Sequence, residues 1–122
     1  MQTSNISKGK FGEDTTVEYL LLHNYEILER NYRNRYGEVD IIAKQDEYIC
    51  FVEVKTRTSE EFGRPSEAVN FRKQQKIKNL AISYLSNFPD CSARLDVAEV
   101  LVRKTRIGYE IYEFNYIENA YI

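Results

Sequence analysis

The chain has 122 residues, of which 43% are hydrophobic and 13% aromatic, which suffices for the core of one compact domain and not for a second. Its net charge of -2 argues against a protein that coats nucleic acid through charge alone. No apolar run approaches the length of a membrane span, and the N-terminus lacks the apolar stretch of a secretory signal. We therefore expect a cytoplasmic protein without a membrane partner, in which Cys50 and Cys91 stay reduced.

The first predicted element is a helix from Ser7 to His23. Its apolar stripe comprises Val17, Leu20 and Leu21. Glu13 lies on that stripe, four residues before Val17, so we expect it to face inward. The alternative is an acid favoured near a helix start by the dipole. Gly9 and Gly12 lower helix propensity, and their presence beside Glu13 suggests close approach to the sheet or to a ligand.

Two strand patterns then carry carboxylates where apolar side chains are expected. A strand predicted from 26 to 35 bends into the segment 37–42, and a further apolar run covers 51–55. An unpaired charge inside such a pattern is costly to desolvate, so something must hold Asp40 and Glu53. A divalent cation does so naturally.

The spacing indicates that these acidic side chains meet. Strand alternation places Glu38 and Asp40 on one face, and it places Glu53 and Lys55 together on a face of the next strand. The polar stretch 44–47 reads as a hairpin turn, and pairing backward from it brings the first two acids beside Glu53 or diagonal to it. Like charges this close repel unless a cation bridges them. Magnesium takes one or two carboxylates together with waters and phosphate oxygens.

The remaining elements complete a mixed sheet. A second helix is predicted to begin near 65–67 and to end at 87–90. Its apolar positions are Ile77, Leu80, Ala81, Tyr84 and Leu85. Strands at 93–102 and 109–114 form the last hairpin. The crossover through the second helix is long enough to make the third and fourth strands parallel.

These segments resemble the PD-(D/E)-x-K nuclease superfamily, with Asp40 as the first acid and the stretch 53–55 as the E-x-K element. Nearly the whole chain resembles the YraN-like bacterial proteins. That closer resemblance lies in the segments 9–13, 31–33, 37–40, 51–57 and 94–97. Two departures are Val39 in place of the proline of the superfamily name and Asn24 where the family usually has glycine, although Asn tolerates the left-handed conformation. The resemblance implies an α/β fold, a restriction-endonuclease-like αβα sandwich with a mixed central sheet of about five strands flanked by helices, akin to archaeal Holliday-junction resolvases and tRNA endonuclease-like domains.

The resemblance also implies a function. Residues 1–122 would form a single endonuclease-like, nucleic-acid-binding domain that hydrolyses phosphodiester bonds, with DNA favoured over RNA and branched structures among its substrates. The expected catalytic residues are Asp40, Glu53, Lys55 and Glu13. The three acids would hold Mg²⁺ or Mn²⁺, and the lysine would stabilise developing charge or orient the attacking water. Junction resolvases of this fold are dimers, and the tyrosine-rich tail from 109 to 122 could support a homodimer here.

Basic residues flank the acidic segments. The predicted phosphate contacts are Lys73, Lys76, Arg33 and Arg57. A solvated helix face is the alternative interpretation of the helical lysines. Tyr32 and Tyr36 could stack on bases, although core packing is the commoner role of such tyrosines. Arg94 and Asp96 indicate an ion pair at a strand entry.

Two other classes of function stay open at this point. One is a nucleic-acid-binding module of the same fold without catalytic activity, which predicts salt-sensitive binding and no cleavage. The other is a structural protein in which the acids and the lysine form a buried ion-pair cluster. The excess of carboxylates over lysine would destabilise such a cluster unless protons or a metal intervened.

Overall fold

One five-stranded sheet and two helices make up the architecture, in a computed structural model that describes residues 6–61 and 71–120. The elements are α1 (Lys8–Leu22), β1 (Glu26–Asn34), β2 (Gly37–Gln45), β3 (Tyr48–Arg57), a 3-10 turn (Ser59–Glu61), α2 (Phe71–Leu85), β4 (Ser92–Lys104) and β5 (Tyr109–Ile117). The strand order is β1-β2-β3-β4-β5, with β3 and β4 parallel and the other neighbours antiparallel. The predicted α/β class, mixed sheet and parallel crossover are confirmed. The predicted start of the second helix at 65–67 lies outside the described residues.

Helix α1 begins and ends where the sequence predicts. The Ser7 hydroxyl accepts a hydrogen bond from the Lys10 backbone N–H at 3.1 Å, and Asn24 adopts the left-handed conformation with φ 67° just past the helix. The predicted stripe is wrong at Leu21, which is 56% exposed. The buried positions are Gly12, Thr16 and Leu20, which recur at intervals of four residues and so define a narrower stripe.

The two helices pack against different clusters of strand residues. The α2 cluster consists of Val39, Ile42, Ile49, Phe51, Ile77, Leu80, Ala81, Tyr84 and Leu95. The α1 cluster consists of Leu20, Tyr25, Ile41, Ala43, Cys50, Val52 and Ala98. Strand β3 thus contributes alternate residues to opposite faces of the sheet. Within the described ranges, no helix has both the length and the apolar content to cross a bilayer.

The alternation in β2 breaks beside Asp40. Val39 and Ile42 pack in the same cluster, whereas Ile41 packs in the other, so strict alternation does not extend from Ile42 back to Val39. The prediction that Glu38, Asp40 and Ile42 share one face depends on regular alternation. The strand does not keep that alternation between Val39 and Ile42. The hairpin that joins β2 to β3 is confirmed, with Gln45 opposite Tyr48.

The ion pair predicted at the entry of β4 is the centre of a larger buried network. Asp96 is fully buried and accepts hydrogen bonds from the Arg94 guanidinium, the Tyr116 hydroxyl at 2.6 Å and the Asn119 backbone N–H at 2.8 Å. Arg94 also donates to the Tyr25 hydroxyl. Burial, together with the charge of Asp96, raises the pKa of Tyr116. The network therefore joins β4 to β5 and to the chain that follows it.

A methyl group added at each of the two glycines of α1 should have opposite effects on stability. A Cβ at Gly12 would overlap Oγ1 of Thr56 in β3, whereas no heavy atom of the described residues lies within 4 Å of a Cβ at Gly9. The close approach to the sheet expected from the sequence is thus present at Gly12, whereas none of the described residues approaches Gly9 in this way. We expect Gly12→Ala to destabilise the fold by about 1–3 kcal/mol through overpacking.

Gly9→Ala is the matched control, because it adds the same methyl group in the same helix without a neighbour. We expect it to be neutral or to stabilise by up to about 1 kcal/mol, as helix propensity dictates. Urea unfolding of the two variants measures the difference, and Thr56→Ala added to Gly12→Ala should recover part of the loss. Equal stability of the two single variants would contradict the close packing of α1 on β3.

Candidate active site

Asp40 is fixed where β2 and β3 separate. The two strands pair from Gln45 and Tyr48 as far as Ile41 and Val52. Beyond that point the backbone N–H of Val54 donates to Oδ2 of Asp40 at 2.7 Å, so a carboxylate oxygen serves as acceptor for a strand N–H. Asp40 and Glu53 are the next residues after the last pair of the two strands, and counting back from the hairpin predicts Asp40 beside Glu53 or diagonal to it.

Three carboxylates interact electrostatically at this position. Burial, followed by the negative charge of Glu53, raises the pKa of Asp40 from 3.8 to about 6. The charge of Glu13 raises it further, whereas the Val54 N–H and the charge of Lys73 lower it. The structure thus brings Asp40, Glu53 and Glu13 within electrostatic reach of one another from β2, β3 and α1.

Glu53 is held by a lysine from α2. Its side chain is 12% exposed, and Oε2 lies 2.7 Å from Nζ of Lys73. The sequence predicts a phosphate contact for Lys73, whereas the structure places its ammonium group against this carboxylate. The spacing in the sequence contains a signal for this position, because Lys73 precedes the buried Ile77 by four residues and so lies on the same side of the helix.

Glu13 faces the interior, as the stripe of α1 predicts. Its side chain is 18% exposed, and Oε1 lies 3.8 Å from the guanidinium of Arg30 on β1. The same guanidinium donates to Asp14 at 2.6 Å. That hydrogen bond holds the pKa of Asp14 below its usual value. The positive charge of Arg30 is therefore shared between two neighbouring acids of α1.

Three further residues that the sequence singles out, Lys55, Arg57 and Glu38, lie on β2 and β3. Lys55 is half-buried, two residues after Glu53 on the same strand and beside Glu99 of β4 in the register. Arg57 is half-buried at the end of β3. Glu38 is an exposed residue whose carboxylate accepts a hydrogen bond from Arg33 at 2.6 Å. Its role in the structure is therefore that of a surface ion pair.

A groove lies between the turn that joins β1 to β2 and the first described turns of α2. Its volume is about 590 Å³. The charged residues that line it are Arg33, Arg35, Glu38, Arg72, Lys73 and Lys76. Tyr36 also lines this groove, whereas Tyr32 packs edge-on against Tyr84 of the core, with 5.2 Å between ring centroids. Of the two tyrosines near the arginines, Tyr36 is thus the one that borders the charged surface.

The sequence comparisons decide which family this chain belongs to. A family model described as "Uncharacterised protein family UPF0102" matches residues 12–100. The chain belongs to the UPF0102 family. It is 47% identical to a UPF0102 protein of Acetivibrio thermocellus over 93% of this chain and 89% of the relative. UPF0102 proteins of Clostridioides difficile and Thermodesulfovibrio yellowstonii are 44% and 41% identical, and each alignment covers 97% of this chain and at least 98% of the relative.

The segment matched by the UPF0102 model includes all the acids described above. Glu13, Asp40, Glu53, Lys55 and Lys73 fall between residues 12 and 100. Within residues 6–61 and 71–120, no group of three or more His, Cys, Asp or Glu side chains is close enough to hold a metal ion. A metal site in this UPF0102 protein would therefore require fewer protein ligands, or a movement of the third acid.

Proposed function

We propose that this UPF0102 protein is a metal-dependent nuclease whose reaction takes place at Asp40 and Glu53. The observation that carries the proposal is that Asp40 and the nearly buried Glu53 lie together where the pairing of β2 and β3 ends, and burial with the charge of Glu53 raises the pKa of Asp40. Buried acids that repel one another in this way are typical of functional sites. Their arrangement, with one acid where β2 leaves β3 and an E-x-K element on β3, is also what the resemblance to the PD-(D/E)-x-K superfamily implies.

The donor set suits Mg²⁺ or Mn²⁺. Asp40 and Glu53 would hold the ion directly and Glu13 through water, which requires only two protein ligands. The carboxylates offer the hard oxygens that Mg²⁺ prefers, and a bound ion would share Glu53 with the ammonium of Lys73, which lies 2.7 Å from it. When bound, the ion would lower the pKa of an attacking water and offset the charge of the phosphate.

The chain's own side chains supply the rest of the chemistry. The Val54 N–H orients the Asp40 carboxylate, and it favours the charged form of that group. Lys55 follows Glu53 by two residues, so strand alternation directs both side chains to one face of β3. Its ammonium would approach a phosphate held at the acids and stabilise the negative charge that develops during hydrolysis.

A second candidate function is a nucleic-acid-binding module without catalytic activity. The observation that favours it is the ion pair between Lys73 and Glu53, because that pair compensates one carboxylate without a metal. The remaining acids argue against it: Asp40 keeps a raised pKa although Lys73 is present. A purely structural cluster has the same difficulty, since its negative charges are incompletely offset.

Cleavage of a labelled panel tests the proposal. The panel comprises a four-way junction, a flap, a single strand, a duplex and an RNA, each with Mg²⁺, Mn²⁺ or EDTA. We expect metal-dependent cleavage by the wild type that is lost in Asp40→Ala and in Lys55→Ala. Glu110→Ala is the matched control, because it removes an exposed acid of β5 that pairs with Arg103. Salt-sensitive binding without cleavage by the wild type would establish the binding module instead.

A further inference from the structure

We propose that the groove between the β1–β2 turn and α2 binds one unpaired strand of nucleic acid beside the acids. The proposal rests on the proposed function, because the strand that it describes leads to the phosphodiester bond to be cleaved. It assigns a substrate class to the site: single-stranded segments, alone or within a branched molecule. Three features of the groove support it, namely its charge, its connection to Glu53 and its stacked arginine.

The charge of the groove contrasts with that of the whole chain. Among the described residues, five Lys or Arg side chains and one Glu line it, whereas the chain as a whole has a net charge of -2. The single acid, Glu38, pairs with Arg33. The cations lie on both walls, with Arg33 and Arg35 on the β1–β2 side and Arg72 and Lys76 on α2. Opposed cationic walls fit a chain of phosphates that passes between them.

The groove adjoins the acidic site through Lys73. Lys73 lines the groove, and its ammonium lies 2.7 Å from Glu53. The two walls approach each other at Gly37, where an added Cβ would lie 3.5 Å from the Cβ of Lys76. A strand bound in the groove would therefore run past Lys73 toward the carboxylates.

The size and the stacking surface favour a single strand over a duplex. A volume of about 590 Å³ falls in the range of pockets for small molecules, which suits one or two nucleotides. The guanidinium of Arg35 lies 5.0 Å from the ring centroid of Tyr36 and donates to its hydroxyl at 2.9 Å. A planar guanidinium held in this way offers a surface on which an unpaired base can stack. Paired bases inside a duplex have no free face for such a contact.

Fluorescence anisotropy in EDTA tests the proposal without cleavage. The probes are a labelled single-stranded oligonucleotide and the duplex formed from it, each titrated at several salt concentrations. We expect the wild type to bind the single strand at least about tenfold more tightly. Lys76→Ala removes a phosphate contact, so it should weaken binding and reduce the salt slope by about 1.

Arg35→Lys separates stacking from charge, because it keeps the positive charge and loses the planar group. We expect it to weaken single-strand binding about fivefold or more with the salt slope unchanged. Lys44→Ala is the control: this lysine lies at the β2–β3 hairpin, where its ammonium donates to the Asp46 carbonyl. It should bind as the wild type does.

Equal or tighter binding of the duplex would overturn the proposal, and so would single-strand binding that is unchanged in both groove variants. Because every titration is done in EDTA, these outcomes are independent of catalysis. The nuclease hypothesis is tested separately. It would be contradicted by a wild type that binds the single strand through the groove and cleaves no substrate with Mg²⁺ or Mn²⁺.

Discussion

Replacing Asp40 with Asn is expected to abolish cleavage and, without divalent metal, to stabilise the fold above about pH 6. Burial and the charge of Glu53 raise the pKa of Asp40 from 3.8 to about 6. The folded protein therefore binds this proton more tightly than the unfolded chain does. The resulting stability is fully present below about pH 4 and is lost as the pH rises through about 6. The charged carboxylate then costs about 1–3 kcal/mol, which a neutral Asn avoids.

Urea unfolding in EDTA between pH 4 and 8 measures this cost. The stability difference between Asp40→Asn and the wild type should be small near pH 4, grow toward about pH 6 and stay constant above it. Asn keeps an oxygen that can accept from the Val54 N–H, so the strand contact is retained. Millimolar Mg²⁺ should stabilise the wild type and not the variant. Activity should fall at least about 100-fold.

Asp14→Asn provides a control of opposite sign in the same protein. The hydrogen bond from Arg30 holds the pKa of Asp14 below its usual value, so its charged form stabilises the folded state. That contribution to stability is present above the pKa that Asp14 has in the unfolded chain, and it is lost as the pH falls through the lower pKa of the folded state. Asp14→Asn should therefore destabilise the fold at neutral pH. Asp40→Asn could instead lower the free energy of unfolding at pH 8 in EDTA. That result would show that Asp40 is not repelled by Glu53 and Glu13, and the main support for a cation site would be lost.

Features that depend on neighbours in the chain could be predicted from the sequence. Ser7 caps α1, Asn24 ends it in the left-handed conformation, and the turn before Tyr48 returns β3 along β2. The register of that hairpin ends with Ile41 opposite Val52, which brings Asp40 and Glu53 to the point where the strands separate. The parallel arrangement of β3 and β4 likewise follows from the length of the crossover.

Features that depend on packing between distant elements could not be predicted in this way. The contact of Lys73 with Glu53 depends on how α2 lies across β3, and spacing within either element does not specify that distance. The break in alternation beside Asp40 arises where β2 and β3 separate, which a regular strand pattern does not contain. The same holds for Arg94, whose partner Tyr25 is 69 positions away in the chain.

The largest effect on stability that we expect comes from the buried network of Arg94 and Asp96. Asp96→Asn removes the negative charge that compensates the buried guanidinium of Arg94, which is 8% exposed. It also weakens the acceptor for the Tyr116 hydroxyl and the Asn119 N–H. Breaking a buried pair by removing one charge costs about 3–5 kcal/mol, a large part of the stability of a domain of this size. Urea unfolding at neutral pH measures the loss.

Two further variants show whether the loss comes from the uncompensated charge. Glu110→Gln breaks an ion pair of 2.7 Å with Arg103 in which both side chains are more than half exposed, so it should cost no more than about 0.5 kcal/mol. Adding Arg94→Met to Asp96→Asn removes the guanidinium, whose one remaining ion pair among the described residues is with the exposed Glu118 at 3.6 Å, and it should restore part of the stability. A loss at Asp96→Asn as small as that at Glu110→Gln, or no recovery in the double variant, would show that hydrogen bonding alone maintains the junction of β4, β5 and Tyr25.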